Sequence, residues 1–240
     1  MSTTKDASLA ILLEEMDRNE VHTAVLVAVE GIVSNAAVAK ARKEHPNRFL
    51  TYCCANPLTM TADAFRKVYV EGGFVGIKFH LRLHHVPLDE RTRSFFRALA
   101  DLQPVLLVDA WFSDADSDAD VRALSDFVRQ LPGLRIILAH AGGFRFQDVL
   151  PLVQHKHIFV DLSYVLNTFK KHKKELLISA FMRQLADVPV DKILFGSDFP
   201  EYSITETKGL LFALLDEYRL TNLRKQIVEE NYVRLMSHDL

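Results

Sequence analysis

Short apolar and β-branched runs recur along the chain, and between them lie stretches whose apolar positions fall three and four residues apart. The runs are HTAVLVAVE (22–30), RFLTYCCA (48–55), GFVGIKFH (73–80), PVLLVDAW (104–111), LRIILAH (134–140), HIFVDLS (157–163) and KILFGSD (192–198). Most are apolar on both faces, which is the pattern of parallel strands covered by helices. Helical periodicity fills 8–18, 35–44, 63–71, 88–101, 118–131, 146–153, 174–186, 206–218 and 222–236. The alternation never pauses for a linker, so residues 1–240 read as a single α/β domain. The first helical stretch precedes the first strand, which starts the chain in the middle of a strand-helix repeat.

Composition narrows the partners. Of 240 residues 49% are hydrophobic, and the formal net charge is −2. That balance gives no bulk attraction to nucleic acid or to an anionic membrane, so a small-molecule substrate is expected. No apolar run reaches the ~18 residues that span a bilayer, and the start MSTTKDASLA lacks a basic segment followed by an apolar one. A cytoplasmic protein is the expectation. Cys53 and Cys54 are adjacent, unsuited to an ordinary disulfide or to a zinc ligand pair, and read as buried strand residues. The acidic segment SDADSDAD (113–120) lacks the glycine and final glutamate of a calcium loop and reads as a solvated lead into a helix N-terminus.

In a parallel α/β sheet, function collects where strands end, because the loops that follow share one face. The polar residues fall there. Lys78 and His80 end the third run, and Asp109 and Trp111 the fourth; within each pair the two residues lie on one side of the strand. His140 ends the fifth and is followed by Gly142 and Gly143; Asp161 and Ser163 end the sixth, Ser197 and Asp198 the seventh. Each alone is explained by capping, but together they predict a site. Trp111 and Phe112 could line an apolar wall or pack the rim. His84 and His85 read as loop residues exposed to solvent.

ILAHAGG and ILFGSDFP, with GIKFH upstream and VEENYVRLM near the end, resemble the amidohydrolase superfamily of metal-dependent barrel hydrolases. The branch in question includes aminocarboxymuconate semialdehyde decarboxylase, with related decarboxylases and lactonases. The resemblance covers essentially the whole chain and implies a TIM-type (β/α) barrel with seven recognisable strands, its first strand missing. In that branch a His-x-His pair after strand one, a histidine after strand five and an aspartate after strand eight hold a divalent metal, and a histidine after strand six aids catalysis. Asp198 matches the strand-eight aspartate and His140 the strand-six histidine. The N-terminal region has no His-x-His, and Val108 or Asp109 stands at the strand-five position.

Several readings follow from the resemblance. One is a hydrolase without the usual metal: Asp198 activates water, His140 polarises or protonates the substrate, Lys78 and His80 bind a carboxylate, and Trp111 lines the substrate. A variant rebuilds a site for one zinc or manganese ion from Asp198, His140 and Asp109, with His80 in reach. A decarboxylase of the same branch is an alternative. So is an inactive ligand-binding or assembly subunit, because a missing strand leaves sheet edges that must close or pair, which makes a homodimer a candidate. If Met1 is an internal start, the strand and its histidines precede it.

Overall fold

Hydroxyl and carboxylate residues punctuate the chain where helices begin. Ser8, Ser34, Thr61, Asp89, Ser117 and Ser203 each accept a hydrogen bond from a backbone N–H of the first turn that follows, which satisfies a donor the helix cannot use. Ser117 with Asp120 and Ser203 with Glu206 close reciprocal capping boxes. A computed structural model describes residues 8–237; residues 1–7, part of the stretch inspected for a leader, lie outside the described residues.

The strands are β1 Ala24–Val27, β2 Phe49–Cys54, β3 Gly76–Phe79, β4 Val105–Asp109, β5 Arg135–Ala139, β6 Ile158–Asp161 and β7 Ile193–Leu194. They form a seven-stranded sheet in chain order, with parallel pairing between β1 and β2, β2 and β3, β3 and β4, and β6 and β7. The helices are α1 Leu9–Arg18, α2 Asn35–Glu44, α3 Ala62–Glu71, α4 Glu90–Arg97, α5 Asp118–Arg129, α6 Phe146–Val149, α7 Val165–Lys171, α8 Glu175–Leu185, α9 Ile204–Glu217 and α10 Asn231–Met236.

Two compact units share these elements: one combines Val21–Asp109 with Ser117–Ile137, the other the chain up to Glu20, Ala110–Asp116 and everything from Leu138. In the first, Phe65, Phe79, Phe95, Phe96 and Phe127 are buried in edge-on and tilted contacts. Tyr52 also lies there, and a Cβ at Gly76 would stand 2.4 Å from its ring. Any side chain in place of the glycine of GIKFH would displace that ring. In the second unit, Phe146, Phe169 and Phe181 form the core. Glu15 of α1 accepts from the N–H and hydroxyl of Thr205, both at 3.1 Å, in the first turn of α9.

Three elements depart from the sequence reading. α7 has no predicted counterpart. The segment VLNTFKK is short, has no capping side chain, and is buried from Val165 to Phe169, so it shows no amphipathic period. The helical stretch 222–236 is present as a continuous run over 224–236, but it includes a π-helical segment at Gln226–Glu230 ahead of α10. β7 is only two residues long. The Phe195 N–H bonds the carbonyl of Ile227, so the chain has left the strand before Gly196, Ser197 and Asp198.

Asn231, 1% exposed, holds that short strand. Its Nδ2 donates to the carbonyls of Val190 at 2.6 Å and Ile193 at 2.8 Å. Replacing Asn231 with leucine leaves both acceptors buried without that donor, and should cost about 2–4 kcal/mol by urea unfolding. A loss below about 1 kcal/mol would mean the two bonds do not anchor β7.

Candidate functional site

In the unit that contains α7, the ends of β5 and β6 meet at the carboxylate of Asp161. Its Oδ1 accepts the His140 N–H at 3.2 Å, the Ser163 N–H at 2.9 Å, and the Ser163 hydroxyl. His140 Nδ1 lies 3.0 Å from Ser163 Oγ and 3.2 Å from the Ser163 carbonyl oxygen. The backbone here is unusual: His140, Ala141, Gly142 and Gly143 all have positive φ. For the first two, which are not glycine, this costs about 1–2 kcal/mol each.

Glycines make the turn possible. A Cβ on Gly143 would sit 2.7 Å from the Phe112 carbonyl and 2.8 Å from the Trp111 ring, and one on Gly142 would sit 2.7 Å from Val149. A Cβ on Gly196 would sit 2.9 Å from Ser163 Cβ. The glycines of HAGG and FGSD thus clear space around one group of side chains. Trp111 packs edge-on to His140 at 6.3 Å between ring centroids and to Tyr164 at 4.8 Å; Tyr164 stands 5.7 Å from His140. Burial pushes the Tyr164 hydroxyl pKa up, and the charges of Glu201 and Asp198 add to the shift. Asp198 itself is exposed, with φ 62.

The other unit has its own cluster. Asp109, with a side chain 2% exposed, receives Nε and Nη2 of Arg82 on Oδ2 at 3.1 and 2.9 Å. His80 Nδ1 is 3.4 Å from the same oxygen and accepts the Leu83 N–H at 3.4 Å. Burial pushes the His80 pKa down to about 4, against the pull of Asp109 and aided by Lys78, Arg82 and His84. His80 is therefore neutral at pH 7, and its contact with Asp109 is not an ion pair there. Lys78 is buried. His84 is not the solvated loop residue expected: its side chain is 6% exposed with Nε2 3.5 Å from Glu30, because the turn that buries Val86 folds it inward. His85 remains outside, with φ 50. Cys53 and Cys54 are buried free thiols.

The structure thus brings His80 to Asp109 and Trp111 to His140. Sequence reasoning missed Arg82 and Tyr164. Among the described residues no group of three or more His, Cys, Asp or Glu side chains is arranged to hold a metal ion. Asp109 Oδ2 is spent on a guanidinium, and His140 Nδ1 on Ser163.

Residues 2–232 match the profile of a family described as amidohydrolase. No curated protein matches the chain. Among solved structures, an uncharacterised TIM-barrel protein from Bordetella bronchiseptica is 17% identical, with 96% of this chain and 83% of that one covered at a TM-score of 0.72. A probable 2-pyrone-4,6-dicarboxylic acid hydrolase from Acinetobacter baumannii, with citric acid bound, is 16% identical over 99% and 91% of the chains at 0.72. A dihydroxybenzoic acid decarboxylase from Polaromonas sp. JS666, with bound manganese and 2-nitroresorcinol, is 14% identical over 97% and 87% at 0.63. These likenesses establish the TIM-type barrel fold.

His80 generates a pH prediction. Its folded pKa of about 4 lies below the ordinary 6.5, so between those values the unfolded chain binds the extra proton and stability falls as pH falls. Between pH 7 and 4 the protein should lose about 2–3 kcal/mol more unfolding free energy than its His80→Gln variant. Parallel losses in the two proteins would contradict the burial account.

Proposed function

The chain belongs to the amidohydrolase family, and from that premise we propose that it is a hydrolase of a small carboxylated or cyclic carbonyl compound, working through His140 and Asp198 without a metal-bound water. The observation that carries the reading is the backing of His140: an acceptor-only carbonyl and a carboxylate-bound hydroxyl both face Nδ1. Such backing directs Nε2 toward chemistry.

In the proposed reaction, Asp198 takes a proton from water as the water oxygen bonds to the substrate carbonyl carbon. The bond from that carbon to the leaving oxygen then breaks, and the leaving oxygen takes its proton from Nε2 of the His140 imidazolium. The proton held by Asp198 returns to the imidazole through solvent, which restores both groups. Trp111 and Tyr164 supply an apolar wall for a flat substrate.

Turnover should be assayed on carboxylated lactones, with hydroxybenzoates included to detect decarboxylation. Asp198→Asn and His140→Gln should each lower kcat/KM for the lactone substrate by about 100- to 1,000-fold. A wild type that binds panel members without converting any would replace the hydrolase with a ligand-binding protein. Carbon dioxide release from the hydroxybenzoates alone would make it a lyase.

A further inference from the structure

We infer that Asp161 and Ser163 are positioning residues that hold the neutral imidazole of His140 as its Nδ1–H tautomer, with the lone pair on Nε2. The inference follows from which atoms can donate. An ionised carboxylate only accepts, so the Ser163 hydroxyl, hydrogen bonded to Asp161 Oδ1, must point its proton at that oxygen. Having spent its proton, Ser163 Oγ presents a lone pair to His140 Nδ1 at 3.0 Å. The Ser163 carbonyl oxygen, 3.2 Å from the same nitrogen, can also only accept. Two acceptors face Nδ1, and the tautomer that satisfies both puts the proton there.

The arrangement is built rather than incidental. Ser163 is 6% exposed, and Gly196 leaves no room for a side chain between the end of β7 and Ser163. Asp161 also fixes the ring's starting point by taking the His140 N–H, in a residue with φ 64. Tyr164 and Trp111 pack against the imidazole edge-on and leave its Nδ1 side to Ser163.

The catalytic use of this lock rests on the hydrolase reading, but its test needs no substrate. Long-range proton–nitrogen spectra of the ¹⁵N-labelled full chain, with His140 assigned by its loss in His140→Gln, report which ring nitrogen is protonated at a pH where the imidazole is neutral. Wild type should show Nδ1 at a protonated shift and Nε2 at an unprotonated one. Ser163→Ala leaves the carbonyl acceptor and should keep that form. Asp161→Ala frees the Ser163 hydroxyl to donate to Nδ1 and should give a mixture, and the Asp161→Ala, Ser163→Ala double variant should return to Nδ1–H. An Nε2–H imidazole in wild type or Ser163→Ala, or an unchanged spectrum in Asp161→Ala, overturns the inference. Should the Asp161 variants not fold, an Nε2–H imidazole in wild type or in Ser163→Ala still overturns the inference. A wild type with no turnover but an Nδ1–H imidazole would sink the hydrolase reading and leave the lock standing.

Discussion

One oxygen atom, Oδ1 of Asp161, gathers three donors from the ends of two consecutive strands. That convergence constrains what surrounds it. His140 can occupy a left-handed backbone conformation because its N–H is held there, and beyond Ala141 the chain turns through Gly142 against Val149 and Gly143 against Trp111 and Phe112, where a Cβ would collide. Gly196 is required because the chain leaving β7 passes against Ser163. The two glycine motifs, far apart in sequence, answer to the same small group of atoms.

Chemistry-bearing residues at strand ends are engaged by other side chains in both clusters. Asp109 and His80 lie within reach of each other, yet the guanidinium of Arg82 occupies the carboxylate, and burial keeps the imidazole neutral. A buried carboxylate paired in this way costs several kcal/mol to strip of its partner, so an ion competing for Asp109 would have to displace Arg82. His140 is committed on one nitrogen to Ser163.

Much of this was legible in the sequence. Strands apolar on both faces announce a covered parallel sheet, and the seven expected runs correspond to β1 through β7. α7 was hidden because a short helix buried along most of its length carries no 3.6-residue signal. Most of KILFGSD lies outside β7, since apolar content does not reveal that the Phe195 N–H turns to Ile227. His140 and Asp198 were readable from their motifs, and Lys78, His80, Asp109 and Trp111 from strand register. The partnership of Ser163 with His140 was not, because it depends on two left-handed residues at the strand end. Arg82 and His84 were obscured for a similar reason: which loop side chains turn inward is decided by the turn itself, not by their order.

In the proposed reaction the chemistry belongs to His140 and Asp198 acting without a metal ion. The most direct test is turnover of the carboxylated lactone panel by protein stripped of metal with a chelator, measured before and after adding zinc or manganese. The stripped protein should be active, and neither ion should raise its rate. Stripped protein that is silent, with turnover restored by a stoichiometric amount of either metal, would contradict the proposed reaction.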